Sequence, residues 1–182
     1  MGIGIVIRDE MREALTACCD QKKYVQHPAT AECMALWKAM EISRDLGFHR
    51  VIFEGDAQNI VRAINEDNTD YPSYGSIIHD AKKMLQQQQG WKVQYVHRTS
   101  NEVAHKLAKQ ALCLESELIW MEVMPTFISD RIDTEKQCID DITQRSSDAE
   151  EFGGPDDGNK ENRGASSEME KATARTFEAE PG

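Results

Sequence analysis

The sequence predicts an α/β fold, and three consecutive stretches of the chain carry that prediction. The stretch Val51–Asp56 begins with three large apolar residues in a row, a pattern typical of a strand buried on both faces. The residues before it, Ala29–Leu46, and those from Ala57 onward repeat their apolar residues with a helical period. A helix, a buried strand and another helix in succession are typical of a sheet flanked by helices.

The N-terminal residues predict a β-hairpin. Apolar residues alternate with smaller ones through Gly2–Ile7, a polar turn follows, and Ala14–Cys19 is a second apolar stretch. Gly2 and Gly4 allow another part of the chain to approach the first of these strands closely.

The remaining elements follow the helix after Asp56. A polar segment over Asp67–Ser73 predicts a loop. After it we predict a third helix over Tyr74–Gln89, a strand near the sheet edge over Trp91–His97, a fourth helix over Asn101–Leu112, and an apolar appendage that contains Leu118–Met121 and Val123–Ile128. The appendage must dock on the rest of the domain, because burial of apolar surface is favourable.

Cysteine usage and hydropathy bear on the compartment. The five cysteines have no CxxC spacing and are odd in number, which argues for a reducing compartment and against a disulfide framework. No apolar run approaches the roughly 20 residues of a membrane span. We therefore predict an intracellular protein without a membrane segment, and the sequence does not distinguish nucleus from cytoplasm.

The charge is unevenly distributed along the chain. The net charge is −11, but residues 129–182 hold 15 acids and 7 bases and so contribute −8 of it. Large apolar residues are few after Ser129, and such a segment cannot bury enough surface to offset its ordering entropy. We predict a domain over residues 1–128, with the appendage at 114–128, and a disordered acidic tail over 129–182. Removal of the tail from about Asp133 onward should leave thermal stability nearly unchanged.

Asp56 and Glu32 are the first candidate functional acids. Asp56 ends a central strand, where open α/β sheets place their ligands. The alternative is that Asp56 only caps the helix that begins at Ala57. Glu32 lies near the start of the first helix, where the alternative is a favourable interaction with the helix dipole and no function. These patterns alone leave both alternatives open.

Several runs of residues, taken in order, resemble the ribonuclease H-like family and in particular its plant-type members. They are Gly2–Asp9, Ala31-Glu32, Glu54-Gly55-Asp56, Asn101–Lys109 and Trp120–Ile128, which together cover residues 2–130. Each run alone is common, and their order and spacing carry the resemblance. It implies a ribonuclease H-like mixed sheet flanked by helices.

The resemblance also implies a chemistry. Family members cut the RNA strand of an RNA–DNA hybrid and hold two divalent metal ions with acids on the first strand, the first helix, the end of the fourth strand and the last helix. Two metals orient the attacking water and stabilise the leaving oxygen. Glu32 and Asp56 match the second and third of these positions, which implies Mg²⁺ or Mn²⁺ as cofactor.

The other two positions depart from the family's pattern. His105 stands where the last helix usually has an acid. Imidazole can bind a divalent ion, although it suits zinc, copper or manganese better than magnesium, and the alternative is a surface histidine. The first strand and its aspartate are absent, because Met1 stands where the family's second strand begins. That strand lies in the middle of the family's sheet, so its absence predicts an unusual strand pairing, unpaired backbone groups or a fragment of a longer gene product.

Candidate nucleic-acid contacts lie around the last helix. Arg98, Asn101 and Lys109 are the main candidates, and the resemblance implies an RNA–DNA hybrid or RNA as partner. The other basic candidates are Lys82, Lys83, Lys92 and Lys106. Phosphate binding needs several of these on one face, and the alternative is an ordinary solvated surface. Nothing in the sequence indicates an oligomeric state.

Three functions remain compatible with the sequence. The first is a metal-dependent endonuclease acting on RNA–DNA hybrid, impaired because only two of the four implied acids are present. The second is a catalytically silent module that binds nucleic acid, and the third is a non-functional gene fragment. On the carboxylate count, we predict that the chain is close to inactive.

Overall fold

A six-stranded mixed sheet forms the centre of the computed structural model, which describes residues 1–25, 27–66, 74–135 and 171–179. The strands are β1 (Gly2–Arg8), β2 (Ala14–Gln21), β3 (Arg50–Gly55), β4 (Gly90–Tyr95), β5 (Leu118–Met121) and β6 (Lys171–Ala179). Their order across the sheet is β4-β3-β6-β1-β2-β5. The pairs that β3 makes with β4 and β6 are parallel, and the other pairs are antiparallel.

Helices cover both faces of the sheet. They are α1 (Pro28–Asp45), α2 (Gln58–Asn65), α3 (Gly75–Gln87), α4 (Glu102–Ala111) and α5 over residues 126–135. The first three bury one core with one face of the sheet, and α4 and α5 bury a second core on the other face. This architecture confirms the predicted mixed α/β fold. Among the described helices, none is both long and apolar enough to cross a membrane.

The sheet differs from the sequence-based expectation at its centre. The strand expected to be missing from the middle of the sheet is replaced by β6. This strand runs antiparallel to β1 and parallel to β3. The expectation of a disordered tail over 129–182 is therefore corrected at two places, because residues 129–135 are helical and 171–179 form a strand. Residues 136–170 of that tail, and the loop expected over 67–73, lie outside the described residues.

The composition of β6 explains why it was not recognised. Its inward residues on the α1 face are small: Ala172, Ala174 and Thr176 are exposed by 1%, 0% and 2%. The strand is flanked by β1 and β3 and covered by helices, so small side chains fill the available space. A buried strand of alanine and threonine lacks the large apolar residues that mark the other buried strands in the sequence.

Close packing of β1 against α4 accounts for the early glycines. A Cβ atom added at Gly4 would lie 2.1 Å from the carbonyl oxygen of Ala104 and 2.4 Å from the nitrogen of Ala108. At Gly2 the same addition would lie 2.0 Å from the carbonyl oxygen of Ala108. These two positions accept no side chain without movement of α4, which confirms the expected close approach.

Candidate active site at the carboxyl end of β3

Asp56 follows the last residue of β3 directly and does not cap the next helix. The N-cap of α2 is Ala57, and no side chain caps that helix end. The Oδ1 atom of Asp56 is buried and has no hydrogen-bond partner among the described residues. A buried carboxylate oxygen without a partner is unfavourable, which makes Asp56 a position where a bound group would supply the missing interaction.

Glu32 lies at the same end of the sheet. The helix α1 begins at Pro28 and has no acid in its first turn, so Glu32 stands beyond the turn where the helix dipole would explain it. It lines a small cavity together with Gly55 at the end of β3 and Thr176 of β6. The topology thus brings Glu32 next to the residue that precedes Asp56.

His105 lies in the first turn of α4, within electrostatic range of Asp56. Burial lowers the pKa of the imidazole from its ordinary 6.5, Lys109 and Arg98 lower it further, and the charge of Asp56 acts in the opposite direction. The ring is therefore neutral at pH 7, which is the form in which histidine binds metals. Its electrostatic interaction with Asp56 places the two side chains in one neighbourhood.

The three candidate residues do not form a complete metal site by themselves. Within the described part of the chain, no group of three or more histidine, cysteine, aspartate or glutamate side chains is arranged to hold a metal ion. Asp56 nevertheless supplies what such a site requires, a buried oxygen without a hydrogen-bond partner, and Glu32 adds a second carboxylate beside the same strand end. Hard oxygen donors of this kind fit Mg²⁺ or Mn²⁺.

The expected nucleic-acid contacts divide into two groups. Arg98 and Lys109 are exposed, and both act electrostatically on His105, so they lie beside the candidate site. Asn101, in contrast, is 0% exposed, and its side-chain nitrogen donates a hydrogen bond of 2.6 Å to the carbonyl oxygen of Thr176. The prediction for Asn101 is thus corrected, because this side chain holds β6 and does not reach the surface.

A buried ion-pair network lies behind the site and was not foreseen. Arg175 of β6 contacts Glu54 (Nε to Oε2, 2.6 Å) and Glu135 of α5 (Nη1 to Oε2, 2.9 Å). Glu135 also contacts Arg8 of β1 at 2.6 Å and accepts a 3.0 Å hydrogen bond from the backbone nitrogen of Val103. Two cations and two carboxylates in mutual contact leave no net buried charge.

This network fixes the elements that carry the site. Glu135 satisfies a backbone nitrogen at the start of α4, the helix of His105. Glu54 lies on β3, two residues before Asp56, and also accepts a 2.7 Å hydrogen bond from Gln94 of β4. The sequence contains one signal of this ion-pair network, which is Arg175 among small residues in the acidic tail. That signal does not predict burial, because the partners of Arg175 lie far away in the sequence.

Comparison with known proteins agrees with this fold. A family model described as reverse transcriptase-like matches residues 1–111. The crystal structure of RNase H1 from the halophilic archaeon Halobacterium salinarum NRC-1 is similar, with a TM-score of 0.56, 26% sequence identity, and coverage of 62% of this chain and 85% of that chain. No curated protein has significant similarity to the chain. The chain belongs to the reverse transcriptase-like family and carries a ribonuclease H-like domain.

Proposed function

We propose that this protein is a divalent-metal-dependent nuclease that cuts the RNA strand of an RNA–DNA hybrid. The family membership and the likeness to an RNase H1 support a nuclease of this class. The observation that carries the proposal is Asp56, whose buried Oδ1 has no hydrogen-bond partner in the described chain and stands at the carboxyl end of a central strand.

Asp56 and Glu32 would hold the metal, Mg²⁺ or Mn²⁺, with His105 as a neighbouring donor. When bound, a divalent ion activates water and stabilises the charge of the leaving oxygen. The protein's own contribution is to orient the two carboxylates from rigid elements, the end of β3 and the helix α1. The neutral imidazole of His105 suits Mn²⁺ better than Mg²⁺, so we expect higher activity with manganese.

The strand β6 supplies the candidate for a third carboxylate. It occupies the position in the sheet where the resemblance implies an aspartate. The sequence of β6 contains a single acid, Glu178, whose backbone pairs with that of Ile3. We propose that an acid of β6 takes the third acidic position, and Glu178→Gln tests this by its effect on cleavage.

Arg98 and Lys109 would position the substrate. Both cations lie around His105, so a phosphate of the cleaved strand can be neutralised beside the carboxylates. Each substitution to alanine should weaken hybrid binding and reduce its salt dependence, while leaving the metal requirement unchanged.

The test is a cleavage assay on a fluorescent RNA–DNA hybrid with the full chain in Mg²⁺ and in Mn²⁺. The carboxylate count alone predicts a nearly inactive chain, but β6 occupies the central position that was expected to be missing, so we expect metal-dependent cleavage. This cleavage should fall at least about 100-fold in Asp56→Asn and Glu32→Gln, because aligned metal catalysis is then removed. Glu41→Gln, on the same helix as Glu32 but away from the site, is the matched control. Cleavage that survives both site substitutions would overturn the proposal.

A catalytically silent module is the second candidate function. It is favoured by the histidine that stands where the resemblance implies an acid on the last helix. This candidate predicts hybrid binding without cleavage. Cleavage by the unsubstituted chain separates the two, because an enzyme should cut the hybrid in Mn²⁺ or Mg²⁺, whereas a silent module should bind it and leave it intact.

A further inference from the structure

Within the described part of the chain, the strand β5 forms an open edge of the sheet. It is the last strand in the sheet order and pairs with β2 on its inner side. In an antiparallel edge strand, alternate backbone N–H and C=O groups point away from the sheet and can pair with another strand. Natural edges are usually protected by charges, proline or a bulge, and Leu118–Met121 contains neither a charge nor a proline.

Apolar side chains are exposed along this edge. The exposed fractions of Ile119, Met121 and Val123 are 47%, 55% and 78%. Ile119 and Met121 line a groove of about 290 Å³ with Ile42 and Leu46 of α1. Several neighbouring apolar side chains beside an open strand edge indicate a binding surface.

Acids outnumber bases around the groove. Glu41 and Asp45 of α1 line it, Glu117 precedes β5, and Glu122 follows β5. Glu117 pairs with Lys38 at 2.8 Å and Asp45 pairs with Arg44 at 3.1 Å, so Glu41 and Glu122 are the acids outside these two ion pairs. A second copy of the chain would bring these acids against the same acids, whereas a segment with basic residues would meet opposite charge.

We propose that β5 and this groove bind an extended apolar segment of another protein that is flanked by lysine or arginine. The segment adds to β5 as a further antiparallel strand through main-chain hydrogen bonds. Its alternate apolar side chains fill the groove beside Ile42 and Leu46, and its basic ends meet Glu41 and Glu122. This surface lies on the edge opposite to β4 and is separate from the candidate active site.

The experiment uses the full chain and a fluorescent nine-residue peptide, Lys-Lys-Val-Thr-Ile-Thr-Val-Lys-Lys, whose binding is followed by fluorescence anisotropy. We expect saturable binding that weakens at least tenfold when Met121→Lys is introduced. Met11→Lys, at another exposed methionine, in the β1–β2 turn, is the matched control and should not change binding. Circular dichroism shows whether each variant is folded.

Charge reversal provides the second arm. The double variant Glu41→Lys, Glu122→Lys should bind the basic peptide more weakly. It should bind more tightly a peptide of the same sequence in which glutamate replaces each lysine. Glu10→Lys is the control for a general charge effect. No saturable binding, or binding unchanged in Met121→Lys, would overturn the proposal. A dimer that is detected by sedimentation and dissociated by Met121→Lys would also overturn the proposal, because a second copy of the chain would then occupy the edge of β5.

Discussion

Arg175 and Glu54 form a buried ion pair between directly paired residues of the adjacent parallel strands β6 and β3. The Nε and Oε2 atoms are 2.6 Å apart, and the side chains are exposed by 12% and 11%. The Nη1 atom of the same guanidinium donates a hydrogen bond of 2.6 Å to the carbonyl oxygen of Ser100, just before α4. One side chain therefore ties the C-terminal strand to β3 and to the start of α4, the two elements that carry Asp56 and His105.

Substitution of Arg175 should be among the most destabilising changes in the chain. Arg175→Ala leaves Glu54 without its cation in a buried place, and breaking a buried pair in this way costs about 3–5 kcal/mol. Urea unfolding followed by circular dichroism measures the effect. Arg44→Ala removes an exposed pair with Asp45 and should change stability by about 0–1 kcal/mol. Equal effects of the two substitutions would contradict the assignment of Arg175 as the residue that holds β6.

Removal of residues 171–182 should abolish the cooperative unfolding transition. Without β6, the backbone groups of β1 and β3 that face it lose their partners at the centre of the sheet. A milder form of the test is Thr173→Pro, which removes an N–H inside a central strand and should cost about 1–3 kcal/mol. Thr173→Ala is the control. A chain ending at residue 170 that melts like the full chain would restore the original expectation of a dispensable tail.

Two glycine substitutions should have opposite outcomes. Gly4→Ala places a Cβ atom 2.1 Å from the carbonyl oxygen of Ala104, so α4 must move. We expect a loss of about 1–3 kcal/mol, as for other overpacked cores. Gly55→Ala places a Cβ atom 3.6 Å from the Thr176 hydroxyl, an ordinary contact, and should be tolerated. Thermal denaturation of both variants tests the packing of β1 against α4, and equal melting temperatures would contradict it.

The cysteines should differ sharply in reactivity. Cys113 is exposed, whereas burial raises the pKa of Cys19 and of Cys33 to about 12, with Glu32 adding to the effect at Cys33. Since the thiolate is the reactive form, a Cys138→Ser variant should react rapidly with a disulfide reagent at a single thiol at pH 8. Rapid reaction of two or more thiols in the folded state would contradict the burial of Cys18, Cys19 and Cys33.

The same pKa values predict an alkaline limit of stability. The folded-state pKa of Cys19 and Cys33 lies above the ordinary value of 9.0, so the folded state binds more protons than the unfolded state between pH 9 and 12. Their stabilising contribution is complete below pH 9 and is lost progressively as the pH rises through this window. Urea midpoints at pH 8 and pH 10.5 measure it, and Cys19→Ala should reduce the difference between them.

Periodicity and order along the chain determined most of the fold. A continuous apolar run predicted the buried β3, helical spacing predicted α1 and α4, and alternation near the N-terminus predicted the β1–β2 hairpin. These signals are local, because the side chains of one strand or helix report which of its own faces is buried. They also placed Asp56 at the carboxyl end of β3, since a strand followed by a turn and a helix shows where the strand ends.

Only the tertiary structure decided what occupies the centre of the sheet. The strand β6 is far in sequence from β1 and β3, and its buried residues are alanine and threonine, which have no apolar pattern of their own. In the sequence, Arg175 and Glu135 are typical of a charged surface. In the fold the two side chains contact each other and are largely buried. The burial of Asn101 was decided in the same way. A local pattern reports what a segment can bury, whereas the partners of a polar side chain are set by segments elsewhere in the chain.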